Sequence, residues 1–317
     1  MEYRMLGQTG LRVSALSFGA SPLGGVFGPV DTAECLQAVH KAVDLGINFF
    51  DVSPYYGLTR AEEVLGEALL GLRSQVILAT KAGRLTEDRF DFSRRGLMRS
   101  VEESLRRLRT DYVDILQLHD IEFGTPDEVL GEAYQTLLEL KVQGKCRFVG
   151  MTGYPLSVLR HALEQCRLDV VLSYCHCNLT NTLLKTWLLP VAAEKGTGMI
   201  NASVTAMGLL TQKGPPPWHP APPILRECCR QAAAYCRERG VDIAALSLQF
   251  AYRQEGIDTM LVGMSKVRHV ESNIAAIEQE PDEEILAAVQ RILQPGRDQV
   301  WPSGREAEWP AAAYYRG

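Results

Sequence analysis

Four side chains in the first half of the chain are of types that hold or move protons, and three of them stand in the same kind of place. Asn48-Phe49-Phe50 runs apolar into Asp51, and Tyr56 follows after Val52-Ser53-Pro54-Tyr55, just before Gly57. Val76-Ile77-Leu78-Ala79-Thr80 runs into Lys81, and Asp114-Ile115-Leu116-Gln117-Leu118 runs into His119. An unpaired charge at the end of a buried run costs on the order of several kcal/mol, so packing alone does not explain these residues. A tyrosine, with its ordinary pKa of ~10, is a poor acid or base at neutral pH. A nearby ammonium stabilises the phenolate and lowers that value. A carboxylate on the lysine would keep it charged and oriented, and an imidazole can donate a hydrogen bond to a substrate oxygen. Together the four describe a proton donor and acceptor beside a polarised C–O bond. Two other readings stay open on the residues alone. Asp51 and Lys81 could form a plain buried salt bridge. Asp51, His119 and Asp120 could be imagined around a cation, although the charge of Lys81 would oppose a metal, and no metal ligand set is evident.

Strand ends must be gathered by a scaffold, and the alternation of elements names one. Met1 to Ser14 carries a Gln8-Thr9-Gly10 turn between two short mixed segments, which reads as a β-hairpin. Strands are expected over Ala15–Gly19, Asn48–Val52, Val76–Lys81, Asp114–His119, Cys146–Met151, Val170–Cys175, Gly198–Val204 and Thr259–Met264. Helices are expected between them, over Thr32–Leu45, Ala61–Leu70, Ser93–Arg109, Pro126–Gln143, Pro155–Gln165 and Leu183–Lys195, then Leu225–Arg239 and Ile243–Tyr252. Val267–Ile277 and Asp282–Leu293 follow the last strand. Eight strand–helix alternations with nearly continuous apolar strands indicate parallel strands buried on both faces. The expectation is an α/β fold, a (β/α)8 TIM barrel with an N-terminal β-hairpin and extra C-terminal helices: a single domain over 1–317, with the hairpin at 1–14, the barrel at 15–280 and a C-terminal helix and tail at 281–317. No G-x-G-x-x-G follows the first strand, which argues against an open dinucleotide-binding sheet. In such a barrel the active site lies at the C-terminal ends of the strands, where Asp51, Lys81 and His119 stand.

Composition narrows the class further. The chain has 317 residues, long enough for a large core, and is 46% hydrophobic and 22% charged, ordinary for a globular protein. A net charge of −5 without a basic stripe gives no footprint for nucleic acid. No apolar run approaches membrane-spanning length and no apolar leader is visible, so a cytoplasmic protein without membrane partners is expected. None of the eight cysteines forms a C-x-x-C pair. Cys175-His176-Cys177 spaces two thiols poorly for zinc, and reduced buried thiols are expected instead.

Asp51-x-x-x-x-Tyr56, Lys81 and His119, in this order and at strand ends, resemble the catalytic tetrad of the aldo-keto reductase family. Leu6-Gly7-Gln8-Thr9-Gly10-Leu11 resembles that family's opening hairpin. Phe18-Gly19-Ala20-Ser21-Pro22-Leu23-Gly24, His119-Asp120-Ile121-Glu122-Phe123-Gly124, Pro217-Trp218-His219-Pro220 and Trp301-Pro302-Ser303-Gly304 resemble members that oxidise sugars. The resemblance implies NAD-dependent oxidation of an aldose at C1 to the lactone, the sugar being L-galactose or a relative such as L-fucose or D-arabinose. The alternatives are a general NAD(P)H-dependent aldehyde or ketone reductase and a cofactor-binding regulatory subunit. It further implies that Tyr56 moves the proton and that Asp51 positions Lys81 and touches the nicotinamide ribose. Thr152 with Gly153, and Ser173, fall where the carboxamide is held, and Ala202 falls where a tyrosine often stacks on the ring. Ser203, Val204, Thr205, Gly208 and Leu209 fall at the pyrophosphate, and Met264, Ser265, Lys266 and Asn273 near the adenosine. Strong cations are missing at Gly263 and His269, which favours NAD, with NADP possible through Lys266 or Arg268. Asp120 and Glu122 are candidate acceptors for sugar hydroxyls, beside His119 and Tyr56. Trp218 is a candidate cover for the sugar ring, and Phe27 and Tyr55 are weaker wall candidates. A monomer or weak homodimer is expected.

Overall fold

The computed structural model describes residues 1–310. Eight parallel strands close into a barrel: β3 (Leu16–Gly19), β4 (Phe49–Asp51), β5 (Ile77–Ala82), β6 (Val113–Leu118), β7 (Cys146–Gly153), β8 (Val170–Tyr174), β9 (Gly198–Ala202) and β10 (Thr259–Gly263), which pairs back onto β3. The hairpin strands β1 (Tyr3–Met5) and β2 (Arg12–Ser14) precede it, with Tyr3 opposite Ser14. Leu6, Leu11 and Val13 of this hairpin pack with Phe49, Ala79, Ile115, Val170, Ile200 and Leu261, so the hairpin plugs the barrel floor. A second layer, including Phe50, Leu78, Leu116, Val149 and Met151, lies between strands and helices.

These two layers fix where the chemistry points. Side chains alternate across a strand. Phe49, Ala79 and Ile115 face inward, so Asp51, Lys81 and Gln117, each two residues further on, face inward as well, one layer higher. The register sets Gly19 beside Asp51, Asp51 beside Ala79 and Lys81 beside Gln117.

The helices follow their capping signals. α1 (Thr32–Asp44) starts at Asp31, whose carboxylate accepts from Glu34 N. α2 (Arg60–Ala68) and α3 (Arg94–Leu108) come next, the latter capped by Ser93. Two expected helices depart from a single run. Pro126–Gln143 holds a π-helical turn at Glu128–Ala133, where Gly131 takes φ −90 and ψ −105, before α4 (Tyr134–Val142). After α5 (Leu156–Gln165), the segment Leu183–Lys195 divides at Leu188 into α6 (Leu183–Trp187) and α7 (Leu189–Lys195). Pro190, which can bond no preceding carbonyl, sits in the first turn of the second piece. α8 (Pro223–Glu238), α9 (Ile243–Tyr252), α10 (Val267–Glu278) and α11 (Glu283–Leu293) complete the set. Leu225, Ala232 and Cys236 of α8 pack with Leu246 of α9, Val289 and Leu293 of α11, and Leu209 and Leu210 in a satellite core.

The described part of the tail packs back onto the barrel. Trp309 is buried, and its indole Nε1 donates to Gly124 O at 3.2 Å. The last residues of the expected 281–317 segment lie outside the described ones. All eight cysteines are buried and unpaired with one another. Among the described residues no helix is long and apolar enough to cross a membrane.

Candidate active site

Lys81 is the hub of the tetrad. It is buried in β5, ion-paired to Asp51 Oδ1, and donates from Nζ to Val52 O at 3.0 Å and to Tyr56 Oη at 3.3 Å. Gln117 Nε2 donates to the other Asp51 oxygen at 3.1 Å. The carboxylate is thus held from two neighbouring strands, and the ammonium is aimed at the phenol oxygen. Because Lys81 donates to Oη, the phenol proton must point away from it. Tyr56 reaches this place because Ser53–Gly57 forms a tight turn, with Tyr56 N donating to Ser53 O. Gly57 takes φ 63, and a Cβ there would overlap Gly24 O, so the loop after β3 braces the turn at backbone contact. His119 follows β6 directly, and its ring lies edge-on to Tyr56, centroids 5.6 Å apart at 86°.

The electrostatics differ in one respect from the sequence expectation. Burial would push the Lys81 ammonium down, but Asp51 and Tyr56 carry it above its ordinary value, so it stays charged. Asp51 is raised by burial, against the opposing effect of Lys81 and Gln117. Tyr56 was expected to be lowered by Lys81. That attraction is present, yet burial outweighs it and holds the phenol above its ordinary value. His119 is lowered to about 3, chiefly by burial, so the imidazole is neutral at physiological pH.

A model of the Aldo/keto reductase family matches residues 15–294. The chain belongs to this family. It is 48% identical, over 96% of its length and 98% of the relative's, to L-galactose dehydrogenase of Arabidopsis thaliana. It is 34% identical, over 81% of each chain, to D-arabinose 1-dehydrogenase of Saccharomyces cerevisiae. The holo form of an aldo-keto reductase from Bacillus halodurans superposes with a TM-score of 0.79 at 27% identity, covering 96% of this chain and all of that one. The protein is therefore an oxidoreductase acting on CH–OH groups, of a family that works with nicotinamide cofactors.

In this aldo/keto reductase the remaining expected residues fall into three groups. Those beside the tetrad are already bonded within the chain. Thr152 Oγ1 accepts from Asp120 N at 3.0 Å, and Ser173 Oγ lies 3.3 Å from His176 Nδ1. Asp120 was a candidate for sugar hydroxyls. Its Oδ2 is ion-paired to Arg84 and lies 3.6 Å from His119 Nε2, so one of its two oxygens is already engaged. Glu122 departs further, because it is not a solvated loop acid. It is fully buried, with Oε1 accepting from Tyr154 N at 3.2 Å and Ser303 Oγ at 2.9 Å. Burial first, and then the charge of Asp120, push it up to about 8. A Cβ at Gly153 would stand 2.8 Å from its Oε2, so the acid occupies the room a side chain at 153 would need.

The second group lines the loops after β9 and β10. Ser203, Ala206, Met207 and Gly208 all have positive φ (54, 49, 50 and 101), a density of left-handed residues that turns successive amides to one side and suits an anion. Val204 and Leu209 are buried under them, and the Val204 carbonyl accepts from Ser247 Oγ at 2.6 Å. Met264 and Ser265 are buried, Asn273 is half-buried on α10, and Lys266 Nζ is ion-paired to Glu34 of α1 at 2.7 Å. This left-handed run and the small residue Ala202 at the end of β9 fit an extended dinucleotide.

The third group stays apart. Phe27 and Trp218 are exposed and make no described contact with the tetrad. Sequence reasoning missed the ring wall that the tail completes. Trp301 stacks on Tyr154 at 4.6 Å, Tyr154 lies 5.5 Å from Tyr174, and His219 meets Trp301 edge-on at 5.3 Å. It also missed Arg84, whose guanidinium lies 3.9 Å from the centre of the Tyr55 ring, as well as Gln117 and Ser53. Gln117, the inward residue two before His119, carried a signal through strand parity alone.

Proposed function

We propose that this enzyme oxidises an aldose, L-galactose or a close relative such as L-fucose or D-arabinose, at C1 to the lactone, with NAD. The observation that carries the reading is the Tyr56 hydroxyl held 3.3 Å from a buried lysine, with a neutral imidazole at the edge of its ring. When bound, the nicotinamide supplies the acceptor for the hydrogen and electron pair leaving C1. The chain supplies everything around that step. Tyr56, as phenolate, takes the C1 hydroxyl proton. Lys81 stabilises the phenolate, and Asp51 with Gln117 keeps Lys81 in place. His119, neutral, donates to the oxygen that becomes the lactone carbonyl. The relatives that act on L-galactose and D-arabinose support the substrate class.

The pairing of Lys266 with Glu34 supports NAD. The cation nearest the adenosine end already has a carboxylate, and an added 2′-phosphate would have to displace it. Residues expected to hold the cofactor are Asp51 at the ribose, Thr152 and Ser173 at the carboxamide, and the loop from Ser203 to Leu209 at the pyrophosphate.

The test is an aldose panel with NAD and NADP, run beside Tyr56→Phe. The wild type should turn over an aldose with NAD and without any partner protein. The variant should lose about 100- to 10,000-fold in kcat, the range of general acid–base catalysis, with cofactor affinity little changed. Because burial holds Tyr56 above its ordinary value, the oxidation rate should rise with pH through the alkaline range. Unchanged turnover in Tyr56→Phe sinks the assignment, and a clear NADP preference in kcat/KM sinks the cofactor argument.

A further inference from the structure

We propose that Ser53 is a positioning residue that sets the tautomer of His119, and thereby decides which neighbour receives the substrate's proton. It rests on the reading of His119 as donor to the reacting oxygen. Ser53 is fully buried at the turn after β4. Its Oγ accepts from Tyr55 N at 3.1 Å, the two-residue reach of a serine turn. Its only other described side-chain contact is His119 Nδ1, at 2.9 Å. The serine proton therefore has one place to go. Donated to Nδ1, it makes that nitrogen the acceptor and leaves the ring hydrogen of neutral His119 on Nε2.

A second observation agrees. Asp120 Oδ2 lies 3.6 Å from Nε2, and Arg84 anchors that carboxylate. An N–H facing a carboxylate oxygen is attracted, whereas a lone pair there would be repelled. The ring plane is held as well, edge-on to Tyr55 at 5.9 Å and 71° and edge-on to Tyr56. The relay thus begins at a backbone amide: Tyr55 N–H to Ser53 Oγ, and Ser53 O–H to Nδ1, which leaves the ring hydrogen on Nε2.

The chemical consequence is specific. With hydrogen on Nε2, a substrate hydroxyl oxygen accepts from His119 and its own proton is free to go to Tyr56. In the other tautomer Nε2 presents a lone pair. The hydroxyl would then donate to His119, and its proton would be turned away from the phenolate. No bond of Ser53 changes during the reaction.

Long-range proton–nitrogen NMR on the full-length protein reads the tautomer directly, with the His119 signals assigned by their loss in His119→Gln. Wild type should show the ring hydrogen on Nε2. Ser53→Ala should show a mixture of tautomers and a kcat about tenfold lower, the loss of one hydrogen bond in the activated complex, with cofactor Kd unchanged. Ser53→Thr, which keeps the hydroxyl, should restore both. A ring hydrogen on Nδ1 in wild type overturns the proposal whatever the variants do. So does Ser53→Ala with wild-type kcat and a single Nε2–H signal. The NMR result stands apart from turnover, so failure of the Tyr56 assignment and failure of the Ser53 assignment are told apart.

Discussion

A buried carboxylate is ion-paired against each face of strand β5, and only one of the two pairs can do chemistry. On the outer face Thr80 Oγ1 donates to Glu62 Oε1 at 2.6 Å, and Arg107 Nε donates to Glu62 Oε2 at 2.7 Å. Arg107 also donates to Ser104 Oγ. Both carboxylate oxygens are taken, and the group ties α2 and α3 to the strand. On the inner face, one residue along, Lys81 is bound to Asp51 and Val52 O, but its third donor goes to Tyr56, whose proton has no partner on the lysine side. Gln117 Oε1 there is buried without a hydrogen-bond partner among the described residues. The two pairs share a buried carboxylate and opposite charge. They differ in that one is closed and the other leaves reactive capacity unspent. A buried ion pair by itself is weak evidence for function or for stability; the open valence is what separates them.

Breaking each pair should give opposite signatures. Lys81→Met should reduce kcat by about a thousandfold, since the phenolate loses its cation, and should also destabilise by leaving the buried Asp51 carboxyl without its partner. Adding Asp51→Asn should recover much of the stability but none of the turnover, as read by urea midpoint and steady-state kinetics. Recovered turnover would refute the distinction. Arg107→Met should cost about 3 kcal/mol in urea unfolding, a buried carboxylate without its partner, while kcat per folded molecule stays at the wild-type value. Glu122 sharpens the contrast as a third buried carboxylate, with neutral donors but no cation on it. Its folded pKa of about 8 exceeds that of an unfolded carboxylate, so between those values the native state binds the extra proton. Its contribution is therefore fully present at low pH and lost as pH rises through about 8. Glu122→Gln should flatten the fall of thermal midpoint over that window, and a slope equal to wild type would refute it.

The barrel was legible because its strands are apolar runs with turn signals between them, and strand parity then pointed Asp51 and Lys81 inward. Tyr56 was legible from its spacing to Asp51. The π-helical turn before α4 was not, since the segment keeps helical composition while Gly131 alone takes the deviant backbone. Ser53 and Arg84 look like ordinary loop residues in the sequence, and only the approach of β4, β5 and β6 brings them to His119 and Asp120. Glu122 could not be read because its burial depends on Ser303 and the tail, 181 positions away in the chain.

Glu122 and Gly153 are also locked together in a way that constrains how this family member can drift. With the acid in place, any side chain at 153 meets Oε2 at 2.8 Å in the layer where the strand mouths converge. A side chain at 153 would therefore have to turn the Oε2 end of Glu122 aside while Oε1 keeps Ser303 and the Tyr154 amide. The cost of a side chain at 153 is thus set by how far that one carboxylate oxygen can move.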